Sequence, residues 1–120
     1  MVDDDRDITA LVAAWLADIA DVHTATTSAQ AYTLSNVLQP DLAIIDVILP
    51  RTDGFELVDA LRRNPHMAAT PVIFITGSDR TDIHIRAVDV GAAAVLYKPL
   101  HEDVLREAVL TLLRPRTQIT

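Results

Sequence analysis

Apolar positions along the 120-residue chain follow two spacings. Unbroken runs bounded by turn residues predict short strands buried on both faces. Leu42–Ile45 leads to Asp46 between Pro40 and Pro50, Val72–Ile75 leads to Thr76 after Pro71, and Ala93 to Lys98 stops at Pro99. Elsewhere apolar residues recur every three or four positions, which predicts helices with one buried face. The first such face is Ile8, Leu11, Val12, Trp15, Leu16 and Ile19. The second is Ala31, Leu34, Val37 and Leu38, with Ser28 as N-cap and Pro40 as stop. The third is Leu57, Val58 and Leu61, opened by an Asp53–Glu56 capping box and stopped by Asn64-Pro65. Ile83, Ala87 and Val88 make the fourth, closed by Gly91 as a C′ residue, and Gly77, Ser78 and Asp79 form the turn before it. Val104, Leu105, Ala108, Val109 and Leu112 make the fifth. Two weaker strand signals stand near the start: the stub Met1-Val2, and the roughly alternating DVHTAT of residues 21–26.

Strand and helix thus alternate five times. That order predicts an α/β domain with a five-stranded parallel sheet, doubly wound by five helices through right-handed crossovers. Residues 1–113 make one domain, and 114–120 form a frayed tail.

Composition narrows the picture. The chain is 50% hydrophobic but only 4% aromatic, so the core is built of Ala, Val, Leu and Ile. A net charge of −7 without a basic cluster argues against direct nucleic-acid binding. There is no cysteine, hence no disulfide framework or thiolate metal site. No membrane-length apolar run and no signal peptide are present, so a cytoplasmic protein is expected. Of ten cationic side chains nine are Arg; the one Lys is Lys98, a compact flexible charge that Arg does not imitate.

In a parallel sheet all strand carboxyl ends share one edge, where ligands bind. The chain places Asp3 and Asp4 after the first strand, Asp46 after the third, Thr76 after the fourth and Lys98 after the fifth. Three close carboxylates repel one another unless a proton or cation intervenes. A hard cation such as Mg²⁺ fits oxygen ligands of this kind. Carboxylate, cation, ammonium and hydroxyl together describe a place for a phosphoryl group, with a carboxylate as the nucleophile. Taken singly each signal is weaker: an acidic run is ordinary at a helix start, as Asp5 and Asp7 are, and a strand-end Thr is ordinary in a turn. His23, His66, His84 and His101 lack metal-ligand spacing, Trp15 is a core residue, and Arg62 and Arg63 form a solvated helix face. No glycine-rich phosphate loop occurs.

VDDDRDI at the start, DVILPRTDGFEL, VIFITGSD and LYKP, in this order and at these separations, resemble the bacterial response-regulator receiver domain over essentially the whole chain. The resemblance implies a CheY-like, flavodoxin-like sheet of order 2-1-3-4-5. It implies Asp46 as phospho-acceptor, Asp4 as a direct Mg²⁺ (or Mn²⁺) ligand, Asp3 acting through water, and the Ile48 backbone carbonyl as a further ligand. It also implies that Thr76 moves toward the phosphoryl oxygens, that Lys98 pairs with them, and that Lys98-Pro99 is cis. The implied partners are a sensor histidine kinase or histidine-phosphotransfer protein and a downstream protein or output domain, with no membrane or nucleic-acid contact by this domain. Such a domain is no enzyme beyond its own phosphorylation and dephosphorylation. Two departures stand out. Only Met1 and Val2 precede the acidic pair, and Val95 stands where the family has a switching aromatic residue, with Tyr97 two residues on. The alternatives are a phosphorylation-independent interaction module and a haloacid-dehalogenase-like phosphatase. The latter needs a second Asp where Ile48 stands.

Overall fold

A computed structural model describes residues 1–78 and 80–113. Asp79 of the expected turn and the 114–120 tail lie outside those residues.

Three parallel strands, β1 (Ala43–Asp46), β4 (Val72–Thr76) and β5 (Ala94–Tyr97), form the sheet's middle and one edge, and a separate antiparallel pair, β2 (Ile48–Leu49) and β3 (Thr52–Asp53), follows β1 in the chain. The parallel order is β1-β4-β5, with Ile45 opposite Phe74 and Phe74 opposite Val95. Val2 bridges Ile45 on one side and Ala25 on the other, both in parallel sense. The expected 2-1-3-4-5 order is therefore present, with its first two positions reduced to single bridged residues. Met1-Val2 is too short for a ladder, and the polar 21–24 stretch pairs only at Ala25.

Five helices cover the sheet among the described residues: α1 (Arg6–Leu16), α2 (Ser28–Leu38), α3 (Gly54–Arg62), α4 (Thr81–Asp89) and α5 (Glu102–Leu113). Asp5 caps α1, accepting from the N–H groups of Asp7 and Ile8. Thr27 caps α2, so Ser28 is the first helical residue rather than the cap. The cap gains one backbone donor that would otherwise be unpaired, worth about 1 kcal/mol. Asp53 caps α3 through the Glu56 N–H at 2.8 Å, but Glu56 answers to the Thr52 hydroxyl instead of closing the box. Gly91 (φ +75°) stands past the end of α4.

Strand alternation divides the core into two layers. Phe55, Leu57, Val58, Leu61 and Phe74 fill one side, and Val12, Leu16, Ile73, Ile75, Leu105 and Val109 the other. Several expected inward residues face solvent: Leu11, Val37, Leu38, Val88 and Val104 are exposed. Every helix but α3, whose expected face is fully buried, covers a stripe narrower than its apolar spacing suggests; in α2 the inward row is Ala31, Leu34 and Ser35, which leaves Val37 75% exposed. Ile19 lies beyond the end of α1, and Trp15 is half-buried against the α1–α5 layer. Arg62 is not a solvated residue: its Nη1 donates to the carbonyls of Met67, Ala68 and Thr70, tying the α3–β4 connection to the helix. Among the described residues no helix is long and apolar enough to cross a membrane.

Candidate functional site

β1 ends on Asp46, and one last bond to β4, from the Val47 N–H to the Ile75 carbonyl at 2.9 Å, holds that strand end in place. The chain then turns through β2–β3, whose two-residue turn sets Arg51 at φ +67°. This hairpin stands where a loop is expected from sequence. It carries the Ile48 N–H onto Asp46 Oδ1 at 3.0 Å. Gly54, first residue of α3, presses on the same strand end: its N–H donates to the Val47 carbonyl at 2.7 Å.

Asp3 follows the Val2 bridge and is wholly buried, while Asp4 is exposed. Carboxylate oxygens of Asp3, Asp4 and Asp46 lie within 4.8 Å of one another. Lys98, just past β5, reaches in from the far strand. Its Nζ donates to Asp46 Oδ2 at 2.8 Å and lies 3.4 Å from Asp3 Oδ2. The Lys98-Pro99 bond is cis. Asp3 Oδ1 accepts from the Asp5 N–H at 2.9 Å, but Oδ2 is buried without a hydrogen-bond partner. Thr76 closes β4 and is buried; its hydroxyl accepts from the Ser78 N–H at 3.0 Å and makes no hydrogen bond to Asp46. The structure therefore gathers Asp3, Asp4, Asp46 and Lys98 and sets Ile48 beside them by its N–H. Thr76 stands at the same edge with its hydroxyl turned into the next turn.

Burial pushes the Asp3 carboxyl up to about 6 from 3.8, aided by the neighbouring Asp46 charge and opposed by the Asp5 N–H and Lys98. Desolvation alone would lower Lys98, but the hydrogen bond and charge of Asp46, with Asp3 beyond, hold its ammonium above the usual lysine value. A folded-state carboxyl raised above its unfolded value binds its proton more tightly when folded. Its contribution to stability is therefore full below about 4 and is lost as pH rises through about 6. Asp3→Asn is expected to remove that slope and to stabilise the metal-free domain at pH 7 by on the order of 1–2 kcal/mol. Urea unfolding in chelator at pH 4 to 7 measures it; identical slopes in the two proteins would contradict it.

Three carboxylates that one ammonium compensates only in part, with one buried oxygen lacking a hydrogen bond, suit a divalent cation, and carboxylates are the oxygen donors that Mg²⁺ prefers. The donor set fits the metal expected from sequence.

Sequence reasoning missed two features. Arg86 on α4 lies over the Phe55 ring, 4.4 Å from its centroid, and reaches Asp53 Oδ2 at 3.5 Å. No pattern in the sequence pairs residues 33 apart. The second is the close seat of Gly54 on the strand end; the Asp53–Glu56 capping box marks the helix start and says nothing of what lies against it.

A parallel α/β domain whose strand ends bring carboxylates and one lysine into a single pocket defines a class of phosphoryl-accepting folds. The chain belongs to the response regulator receiver domain family, whose model matches residues 1–110. It is thus a phosphorylation-dependent signalling domain. It is 34% identical over 120 residues to the DNA-binding dual master transcriptional regulator RpaA of Synechocystis sp., covering 99% of this chain and 50% of that protein. It is 31% identical over 115 residues to the response regulator Rre1 of Synechocystis sp., covering 94% and 50%. The chain spans about half the length of these curated relatives. Among solved structures it is similar to chemotaxis protein CheY4 of Vibrio cholerae, with TM-score 0.88, 29% identity, and 93% and 94% of the two chains covered. The BeF3-activated receiver domain of Klebsiella pneumoniae RstA gives TM-score 0.84 and 29% identity, with 95% and 96% covered.

Proposed function

We propose that residues 1–113 accept a phosphoryl group on Asp46 from a sensor histidine kinase or histidine-phosphotransfer protein in the cytoplasm. The modified domain then presents an altered face to a downstream protein or output domain. The supporting observation is the 2.8 Å contact of Lys98 Nζ with Asp46 Oδ2 inside the acidic pocket. An Asp46 oxygen attacks phosphorus as the bond from phosphorus to the donor's imidazole nitrogen breaks. That nitrogen keeps the electron pair and takes up a proton, and Asp46 becomes a mixed anhydride. Asp3, Asp4, Asp46 and the Ile48 carbonyl would hold Mg²⁺ or Mn²⁺, which when bound neutralises charge on the phosphoryl oxygens. Lys98 transfers its hydrogen bond from the carboxylate to a phosphoryl oxygen, and Ile48 N–H holds the other carboxylate oxygen. The phosphoryl group carries about −1.5 to −2 charge where the free carboxylate carried a single one. Thr76 answers by leaving the Ser78 turn and donating its hydroxyl to the new oxygens. Water later hydrolyses the anhydride and regenerates Asp46.

Incubation with a small phosphodonor and Mg²⁺ is expected to add one phosphoryl group by intact mass, and none to Asp46→Asn. Equal addition to both proteins would sink the reading.

Val95 is half-buried against the core and Tyr97 is 45% exposed on β5. The partner-facing aromatic role therefore falls to Tyr97 on the surface formed by α4, β5 and α5. Tyr97→Ala is expected to weaken partner binding by the phosphorylated form about tenfold, the scale of one truncated interface aromatic. Titration against the partner checks it; an effect of Val95→Ala alone would contradict it.

A further inference from the structure

Arg86 joins α4 to the part of the domain that carries Asp46. Its guanidinium lies over the Phe55 ring, 4.4 Å from the centroid, and its Nη1 donates to Asp53 Oδ2 at 3.5 Å. Both partners are anchored elsewhere. Asp53 caps α3 with its other oxygen and stands opposite Ile48 in the β2–β3 pair. Ile48 in turn donates its N–H to Asp46 Oδ1. Phe55 is buried and rests on Phe74 of β4, with ring centroids 4.8 Å apart.

The helix on the other side of the contact is held lightly. Among the described residues, Ala87 is the one buried residue of α4; Ile83 is partly buried, and Ile85 and Val88 face water. Among the same residues no side chain caps the start of α4, whereas Asp5, Thr27 and Asp53 cap α1, α2 and α3. Ser78, whose N–H holds the Thr76 hydroxyl, stands shortly before Thr81, where α4 begins. Movement of Thr76 out of that turn therefore acts on α4 first. Phe55 and Asp53 stay with β4 and the hairpin. The contact that stretches is the one Arg86 makes.

We propose that Arg86 is a positioning residue that holds α4 in its resting seat and thereby lowers the affinity of the acidic pocket for a phosphoryl group. The inference rests on phosphorylation at Asp46 and the Thr76 movement that follows it. Occupation of the pocket works against the Arg86 contacts, so by linkage whatever weakens them tightens the pocket by the same factor. With the Arg86 side chain 53% exposed, both contacts are screened by solvent. A cation over a ring and an ion pair at such a site together shift an equilibrium by about fivefold. The sign separates this from bulk charge: loss of a nearby cation by itself weakens anion binding, and loss of the tether strengthens it.

Beryllofluoride, which stands in for the phosphoryl group, tests this when titrated at saturating Mg²⁺ and followed by fluorine NMR. Arg86→Met keeps an apolar chain on Phe55 and removes the charge. It is expected to bind beryllofluoride about fivefold more tightly than the parent. Asp53→Asn keeps a cap for α3 and removes the ion pair. It is expected to tighten binding about twofold in the parent and to add nothing to Arg86→Met, the mark of a shared contact. Amide exchange along α4 of metal-free Arg86→Met is expected to quicken about fivefold, with β4 within about twofold of the parent. Equal or weaker beryllofluoride binding by Arg86→Met would overturn the proposal, as would additive effects of the two substitutions or unchanged exchange in α4. A parent protein that binds no beryllofluoride would instead remove phosphorylation at Asp46, and this inference with it.

Discussion

Gly54→Ala is expected to destabilise the domain by about 3 kcal/mol or more and to cripple phosphorylation with it. Elsewhere near a helix start, Ala in place of Gly is favourable by up to about 1 kcal/mol. Here a Cβ collides with the Asp46 carbonyl oxygen and stands 3.1 Å from both the Asp46 carbonyl carbon and Ile45 Cγ2. Those are atoms of a central strand. Ile45 is wholly buried, and Asp46 N–H is bonded to the Val2 carbonyl. Relief must come from moving α3 away or from shifting the strand end, and the second displaces Asp46 from Lys98. Urea unfolding and intact-mass phosphorylation measure the two effects. A Gly54→Ala protein within about 0.5 kcal/mol of the parent would mean that the seat is looser than its geometry requires.

Lys98→Met separates charge compensation from catalysis. The substitution removes the cation that lies on Asp46 and near Asp3, leaving two buried carboxylates facing each other. Breaking a fully buried pair costs about 3–5 kcal/mol; with Lys98 28% exposed, a loss of about 2 kcal/mol is expected for the metal-free domain at pH 7. Acidification restores that loss, since a proton can replace the ammonium between the carboxylates. Loss of a neighbouring positive charge should also tighten Mg²⁺ binding, by about threefold or more. Phosphorylation, in contrast, should slow by about 10²-fold or more, because no donor remains for the charge developing on the transferring oxygens. Calorimetric Mg²⁺ titration and phosphorylation rates at saturating Mg²⁺ read the two arms. Weaker metal binding together with an unchanged rate would refute this division of labour.

The buried strands were the most legible part of the chain. Leu42–Ile45 and Val72–Ile75 are continuous apolar runs, and a strand covered on both faces leaves no other pattern. Asp46 and Lys98 followed from their place at strand ends. Helix faces were less legible. Val37, Val88 and Val104 fit the helical repeat, yet a neighbour covers only a narrow stripe of each helix and leaves them in water. The small β2–β3 pair was hidden because two-residue strands have no periodicity to show. Asp3 and Asp4 are adjacent and alike in sequence; only the bridging of Val2 decides which carboxylate is drawn inside. Arg62 illustrates the same limit, since its role depends on three carbonyls of a turn that no side-chain pattern announces.

Trp15 is the one indole in the chain. Its carbonyl receives Arg106 Nη1 at 2.6 Å, and the same guanidinium grips Asp18 at 2.7 Å. The fluorophore therefore sits on the seam between the first and last helices. Its emission is an optical gauge of whether α5 remains seated on α1.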